Sequence, residues 1–198
     1  MNLPDRLLEP GSAAPVRALD PVLGPRLTVP DPERLIHLQF RRFAGCPVCH
    51  LHLRSVVRRH EEIEAAGIRE VVVFHSPEEE LRPHLDDLPF AVVADPDKRL
   101  YAAFGVESSP RSLLDPRAWW PVARSVALGV VALLRGRQKP PVARPNGGRL
   151  GLPADFLITD EGLVAAAKYG EHADDQWPVD TLLSLAAAAA PRPAAATP

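Results

Sequence analysis

The chain has 198 residues, of which 46% are hydrophobic, and this is enough to bury one core of ordinary domain size. Its 23 basic residues nearly balance its 25 acidic ones, so the formal charge of -2 argues against a partner recruited by long-range charge, such as nucleic acid or an anionic membrane. Two cysteines are too few for the disulfide framework of a small secreted protein.

Residues 1–32 are predicted to form a proline-rich amino-terminal arm. Seven prolines lie in this stretch, and proline lacks an amide proton and disfavours helix in the residue before it. Residues 1–15 contain charged side chains and no apolar run of signal-peptide length. We therefore expect a cytoplasmic protein, in a compartment where glutathione and thioredoxin keep thiols reduced.

A strand, a helix and a second strand are predicted next. Bulky residues and length at 33–42 suit a buried strand. Over residues 48–66 apolar side chains recur every three or four positions, and Gly67 follows, which predicts one amphipathic helix. The β-branched and aromatic run within residues 68–74 is typical of a parallel strand that is covered on both faces.

The alternation of elements continues towards the carboxyl terminus. Further helices are predicted at 77–86, 96–104 and 177–190, and further strands at 90–94, 155–159 and 163–168. The last two strands are separated by Asp160-Glu161-Gly162, a hairpin signal. Together these patterns predict an α/β domain over residues 33–190, with a central mixed sheet flanked by helices, an insertion at about 107–148 before the hairpin, and a disordered tail at 191–198.

The insertion contains an unusually apolar segment, residues 118–134. Its 17 residues include Pro121 and Arg124, so it is shorter than a membrane-spanning helix, and no membrane partner is expected. A helix packed over the sheet is the favoured interpretation. A dimer or partner surface, and an interfacial helix with Trp119 and Trp120 beside a basic end, remain open alternatives. Residues 139–148 are expected to form a mobile loop.

The cysteine pair, Cys46 and Cys49, carries the chemistry predicted for this chain. Cys46 follows the first core strand at the start of the predicted helix, and Pro47 suits the first helical turn. Unpaired amides and the helix dipole favour a thiolate at that position, so Cys46 is the predicted nucleophile with a lowered pKa. Cys49 lies one turn further along the same helical face and is the predicted resolving thiol.

Three other interpretations of the pair stay open. Cys46-Pro47-Val48-Cys49-His50 matches the attachment motif of c-type haem, with His50 as axial ligand. A zinc site would recruit His50, His52 and His60, although no second cysteine pair exists. The two cysteines would otherwise be inert core residues. The favoured interpretation needs neither cofactor nor metal.

Four segments resemble the peroxiredoxin-like branch of the alkyl hydroperoxide reductase and thiol-specific antioxidant (AhpC/TSA) family. They are residues 40–49 around the cysteine pair, 90–97 with Asp95-Pro96-Asp97, 101–106 ending in Gly105-Val106, and 151–158 with the turn that follows. The resemblance covers about residues 34–170. It implies a thioredoxin-like fold, peroxide reduction by Cys46 and resolution by Cys49.

The same resemblance suggests which residues shape the site. Phe43, Gly45 and Pro47 would frame the thiols, and Pro153 matches the place of a proline that is typically cis and faces the cysteines in thioredoxin-like proteins.

This sequence also departs from the family pattern. Phe43 stands where peroxiredoxins usually carry Thr or Ser, and Phe40 stands where thioredoxins usually hold a buried acid. His75 is a candidate for proton handling, and Arg111 is a candidate for stabilising the thiolate.

The leading functional hypothesis is a thiol-dependent antioxidant enzyme that reduces peroxides. An external thiol such as thioredoxin or glutathione would restore the pair. A thiol-disulfide oxidoreductase acting on disulfide substrates is one alternative. A non-catalytic redox-sensing or binding module is the other, and a homodimer through the insertion is compatible with each of them.

Overall fold

The computed structural model describes residues 7–85, 88–106, 108–109, 114–136, 140 and 145–189. The strands in this part of the chain are β1 (Arg17–Leu19), β2 (Leu27–Val29), β3 (Leu35–Arg41), β4 (Ile68–Phe74), β5 (Ala91–Ala94), β6 (Ala154–Ile158) and β7 (Val164–Tyr169). The helices are α1 (Pro47–Arg58), α2 (His60–Ala65), α3 (Glu78–Leu81), α4 (Arg99–Ala103), α5 (Pro116–Leu134) and α6 (Val179–Ala189). Every strand predicted from residue 33 onward is present.

Five strands form one mixed sheet in the order β5-β4-β3-β6-β7. β3, β4 and β5 run parallel, whereas β6 and β7 are antiparallel to their neighbours. The predicted mixed sheet flanked by helices is therefore confirmed. Because β3 is the central strand, its carboxyl end at Arg41 opens beside the end of β4, where ligand sites of such sheets collect.

Each face of the sheet carries its own hydrophobic core. On one face, the Phe40 ring meets Tyr101 of α4 and Phe156 of β6 edge-on, at centroid distances of 4.9 and 5.8 Å. On the other face, α1 and α6 cover the sheet through residues such as Leu53 and Leu182. Both cysteines belong to this second core.

The inner face of β3 under α1 is polar. His37, Gln39 and Arg41 are each at most 1% exposed. His37 Nδ1 lies 2.9 Å from the carboxylate of Glu70, and Arg41 Nη2 donates to Asp155 at 2.7 Å. Burial alone would lower the pKa of His37, but the charge of Glu70 and the hydrogen bonds of Asp155 and Glu70 outweigh it and raise the pKa to about 9. Two cations thus face two carboxylates inside the core.

The single helix predicted over residues 48–66 is wrong in one respect, because the structure has two helices there. α1 ends at Arg58 and α2 begins at His60. Arg59, between them, has φ -117° and ψ 20°, outside the helical region. Its guanidinium donates to Glu62 at 2.7 Å and to Asp180 of α6 at 2.5 Å, which ties the break to the neighbouring helix.

Two other predicted helices are shorter than their sequence patterns. α3 has four residues and gives way to a 3₁₀ turn over Arg82–His84, since Pro83 has no amide to continue the helical hydrogen bonds. α4 begins at Arg99 because the Asp95 carboxylate accepts the amides of Arg99 and Leu100 at 2.9 and 2.8 Å.

The described part of the amino-terminal arm is docked on the domain. It contains two antiparallel strands, β1 and β2, that the sequence pattern did not predict. The Gly11 amide donates to Val164 of β7 at 2.8 Å, and the Val22 amide donates to Val92 of β5 at 2.7 Å. β5 and β7 are the outer strands of the sheet, so the arm covers part of both sheet edges.

Helix α5 does not pack over the sheet, so the favoured interpretation of residues 118–134 is wrong. The helix rests on α1, where Gly129 approaches Pro47, and it buries Ala118 and Ser125 on that side. It begins two residues earlier than expected and has 19 residues. Its length and composition alone would suffice to cross a membrane, and 11% of the apolar stretch is buried.

Candidate active site

The loop between β3 and α1 carries Cys46 to the first turn of the helix. Cys46 is the N-cap residue of α1, and Pro47 follows in the first turn, as the sequence predicts. Gly45 has a φ of 72°, a left-handed conformation that glycine adopts without strain. The Ala44 amide donates to Ser76 Oγ at 3.0 Å and fixes the loop beside the end of β4.

The two thiols are free, and they are 2% and 1% exposed. Their mutual hydrogen bond is the largest cause that lowers the pKa of Cys46 to about 6; burial opposes it, while the charge of Arg42 and the amides of Cys49 and Val48 support it. The same hydrogen bond, together with burial, raises the pKa of Cys49 well above its usual range. Cys49 thus remains a thiol that donates to the Cys46 thiolate.

Arg42 supplies a positive charge beside Cys46. Its Nη1 lies 3.8 Å from Cys46 Sγ, and the residue is 3% exposed. Nη2 donates to the carbonyl of Arg149, and the guanidinium lies 5.5 Å from the Phe43 ring centroid. From the sequence, Arg111 is the candidate for stabilising the thiolate, and Arg111 lies outside the described residues. The sequence signal that could have identified Arg42 is its position, since it is a basic residue at the end of a predicted strand, four positions before Cys46.

A cavity of about 500 Å³ opens onto the thiols. Its lining comes from α1, from the segment after β4 and from Gly136 at the end of α5. The apolar part of this lining consists of Leu53, Val57, Phe74, Leu81, Leu85 and Leu88, and exposed Arg54 and Arg58 add positive charge. Because the thiols themselves are nearly inaccessible at the surface, the cavity is their approach for a small or slender molecule.

His75 is hydrogen-bonded to the backbone of Arg42 and of Asn146. Its backbone amide donates to the Arg42 carbonyl at 3.2 Å, and its Nδ1 donates to the Asn146 carbonyl at 3.0 Å. Nε2 faces the backbone of Gly151, and His75 does not belong to the lining of the thiol cavity. Burial and the charge of Lys98 lower the pKa of His75 to about 4, so the ring is neutral at pH 7.

Pro153 lies at the start of β6 with a trans peptide bond, so the expectation of a cis proline is wrong. The cis bond in the described residues precedes Pro30 instead. The Pro153 carbonyl accepts the Gly170 amide at 2.9 Å, and its ring packs so tightly on Gly170 that a side chain there would clash. Pro153 thus packs against the end of the hairpin at Gly170.

The histidines considered for zinc point in different directions. His52 Nε2 lies 3.2 Å from Arg41 Nη2, and burial lowers the pKa of His52 to about 3. His60 packs edge-on against Phe90, whereas His50 lines the thiol cavity. Within the described ranges, no three His, Cys, Asp or Glu side chains gather in a group that would hold a metal ion.

Comparison with protein-family models gives a match to the model described as AhpC/TSA antioxidant enzyme. The match spans residues 55–172, more than half of the chain. It begins six residues after Cys49, so neither cysteine contributes to it. No curated protein matches the chain in sequence.

Solved structures with the same fold include two redox classes. The thiol:disulfide interchange protein DsbE from Chlorobium tepidum superposes with a TM-score of 0.57 at 18% identity, covering 90% of this chain and 99% of that one. Peroxidoxin BcpB from Mycobacterium tuberculosis gives 0.64 at 14% identity, covering 91% and 97%. The reduced 2-Cys peroxiredoxin of Plasmodium vivax gives 0.65 at 12% identity, covering 91% and 81%. At these identities the likeness establishes a thioredoxin-like fold.

Proposed function

The chain belongs to the AhpC/TSA antioxidant enzyme family, and from that membership we propose that it is a thiol peroxidase in which Cys46 attacks an organic hydroperoxide and Cys49 resolves the product. The observation that carries the proposal is the state of the two thiols. Cys46 is buried, has a lowered pKa, and lies beside the protonated Cys49 and the guanidinium of Arg42, and both thiols line an apolar cavity.

In the proposed reaction, the Cys46 thiolate attacks the terminal oxygen of the hydroperoxide. The O–O bond breaks, the sulfur is oxidised to sulfenic acid, and the organic part leaves as an alkoxide. Cys49 gives that alkoxide its proton, since the Cys49 thiol is the donor in contact with Cys46. The resulting Cys49 thiolate attacks the Cys46 sulfur, hydroxide leaves, and a disulfide forms.

The cycle is completed by an external dithiol, or by two molecules of a monothiol such as glutathione. Each turnover transfers two electrons from that reductant through the disulfide, and the two cysteines return to a thiolate and a thiol. Reductants of this kind fit the cytoplasmic location that we propose for the protein.

Arg42 stabilises the thiolate in this scheme. Its charge also offsets the negative charge that develops on the peroxide oxygens as their bond breaks. The apolar lining of the cavity favours an organic hydroperoxide over hydrogen peroxide, because burial of an apolar tail adds binding energy.

A thiol-disulfide oxidoreductase is the second candidate, because a Cys-x-x-Cys pair at a helix start serves that chemistry too. The burial of Cys46 argues against a protein disulfide as substrate. An incoming protein disulfide must bring its own sulfur into line with the attacking thiolate, and a nearly inaccessible thiol does not allow this approach.

Turnover with dithiothreitol as reductant tests the proposal. We expect cumene hydroperoxide to be consumed faster than hydrogen peroxide, and both faster than by dithiothreitol alone. Cys46→Ser should abolish the enzymatic rate. After prereduction and removal of dithiothreitol, Cys49→Ser should consume one equivalent of peroxide per chain and should leave a sulfenic acid that dimedone traps.

Insulin reduction, followed by turbidity, is the matched assay for the alternative. Insulin reduction that is lost in Cys46→Ser, with no peroxide consumption above the dithiothreitol rate, would replace the peroxidase by the oxidoreductase. Failure of both assays in the wild-type protein would refute enzymatic activity with either substrate.

A further inference from the structure

Helix α5 exposes a broad apolar surface to solvent. We call this surface the outward face of α5 and define it by Trp119, Trp120, Ala123, Ala127, Val130, Val131 and Leu134. Trp120 is 77% exposed and Leu134 is 82% exposed. Isolated exposed apolar side chains are ordinary in soluble proteins, but a contiguous apolar patch marks a surface that another phase or molecule covers.

The opposite side of α5 is occupied by the protein itself. Ala118, Ser125 and Gly129 recur at seven and four positions, so they form one stripe along the helix. Ala118 and Ser125 are buried on this side, and Gly129 approaches Pro47 of α1. The helix is therefore fixed with its outward face directed away from the domain.

The charge of this segment differs from that of the rest of the chain. Residues 116–139 contain five of the 23 basic residues and none of the 25 acidic ones. The remaining chain is left with 18 basic residues against 25 acidic ones. The near-zero net charge of the whole protein is thus the sum of a basic, apolar segment and an acidic remainder of the chain.

The arginines of α5 follow one edge of the outward face. Arg117, Arg124 and Arg135 are separated by about two and three helical turns, so helical periodicity places them in one row. A row of cations beside exposed tryptophans and aliphatic residues is the pattern of helices that lie in the headgroup layer of a bilayer.

We propose that α5 docks this protein on the surface of anionic lipid bilayers, with its outward face in the acyl boundary and with Arg124 and Arg135 of the arginine row among the lipid phosphates; Arg117 stays paired with Asp115 and Glu171. The helix lies in the plane of the interface and does not cross the bilayer. It contacts α1 at Gly129, and Arg117 near its start pairs with Glu171 at 2.7 Å, so the folded domain holds the helix on one side of the membrane.

A second copy of the chain fits the same surface less well. A symmetric dimer would pack α5 against α5 and bring two basic segments together. Arg117 is paired with Asp115 and Glu171, but residues 116–139 contain no carboxylate to pair with the other basic residues across such an interface. An anionic bilayer supplies both the negative charge and the apolar phase that the outward face requires.

Sedimentation of the full-length protein with vesicles tests the proposal. We expect binding to vesicles of phosphatidylcholine mixed with phosphatidylglycerol, little binding to phosphatidylcholine alone, and release as salt screens the charges. Tryptophan emission should shift to shorter wavelength on binding, because Trp119 and Trp120 are exposed whereas Trp177 is 8% exposed.

Two substitutions in α5 and one matched control locate the contact. Trp120→Glu and Arg124→Glu should each lower the vesicle-bound to free ratio by roughly tenfold or more. Arg99→Glu makes the same charge change on α4, whose core lies on the opposite face of the sheet, and should leave binding unchanged. Circular dichroism of each variant verifies that the fold is retained.

Membrane binding does not require the thiols, so its outcome is separate from that of the peroxidase assays. A wild-type protein that stays in solution with anionic vesicles at low salt would overturn the proposal. So would a stable dimer in size exclusion that Trp120→Glu converts to monomer, or an equal loss of binding in Arg99→Glu.

Discussion

At the scale of single residues, the reactivity of Cys46 depends on charges that come from three separate pieces of chain. The helix start contributes the Cys49 thiol, whose hydrogen bond lowers the pKa of Cys46 most, and the amides of Cys49 and Val48. The end of β3 contributes Arg42, and the loop before β6 contributes the Arg149 carbonyl that accepts a hydrogen bond from Arg42. A thiolate is stable inside this core because these partners replace the water that burial removes.

Removal of the Arg42 charge should make Cys46 a weaker nucleophile at neutral pH. In the wild type, alkylation of Cys46 should rise as pH passes about 6 and then level off, since the thiolate forms above its lowered pKa. Arg42→Gln should move that rise upward by about one pH unit. Iodoacetamide kinetics across pH measure the shift.

The control for this prediction is Arg82→Gln, at an exposed arginine that pairs with Glu78. Its alkylation curve should overlay that of the wild type. An Arg42→Gln curve that also overlays the wild type would show that the helix start and Cys49 account for the low pKa without the arginine.

The sequence alone was sufficient to predict that the cysteines lie at a helix start. It was insufficient to predict which residues surround them. A proline after the first cysteine and a strand before it define a capped helix start, and these are local signals. Arg42 and His75 become buried only because the distant residues 146–151 close over them. A lone sequence does not show such contacts, and basic residues at strand ends are usually solvated.

At the scale of elements, α1 and α5 form a pair whose contact runs through the reactive helix start. Pro47 at the start of α1 meets Gly129 in the middle of α5, so α5 packs beside the residue that follows Cys46. Small residues at this contact let the two helices approach closely.

Gly129→Ala should stabilise the protein. A Cβ at this position would lie 3.8 Å from Pro47 Cβ, an ordinary contact, and alanine is a better helix former than glycine. We expect the free energy of unfolding to increase by about 0.5 to 1 kcal/mol in urea titrations.

The same substitution at Gly162 is the matched comparison. Gly162 has φ 81°, and a Cβ there would lie 3.2 Å from Pro30 Cγ, so Gly162→Ala should destabilise by about 1 kcal/mol. If Gly129→Ala instead destabilised the protein to the same extent, the described packing of α5 on α1 would be incorrect.

The identity and order of the elements from β3 onward could largely be predicted from hydrophobic patterns, but the polar interior face of β3 could not. His37, Gln39 and Arg41 alternate with apolar residues, and such alternation ordinarily indicates one solvated face. Glu70 and Asp155 neutralise this face from neighbouring strands, and the pairing requires the sheet order. The break at Arg59 likewise depends on Asp180, far along the chain.

At the scale of the whole molecule, the amino-terminal arm completes the domain. Leu27 and Val29 are 5% and 1% exposed and belong to the same core as Phe40. Asp31 pairs with Arg69 of β4 at 2.5 Å. The prolines predict an arm but do not decide whether it docks on the domain, because its few buried side chains are too widely spaced to give a periodic pattern.

Truncation of an arm residue should therefore destabilise the entire domain. Leu27→Ala should lower the free energy of unfolding by about 2 to 4 kcal/mol, because the side chain leaves a cavity in a closed core. Urea unfolding monitored by circular dichroism should remain one cooperative transition.

Val16→Ala is the control within the same arm, since Val16 is 71% exposed and should change stability by less than about 0.5 kcal/mol. A Leu27→Ala protein as stable as the wild type would mean that the arm detaches without consequence for the fold.

In the proposed cycle, the near-complete enclosure of both sulfur atoms also determines how the oxidised pair is reduced. A bulky protein reductant reaches the disulfide only while the first turn of α1 is locally unfolded. The rate of disulfide reduction is therefore limited by the rate of that local unfolding. At high reductant concentration the repair rate becomes independent of how much reductant is present, whereas a slender thiol that enters through the cavity meets no such ceiling. Enclosure thus makes the rate of disulfide reduction depend on the size of the electron donor.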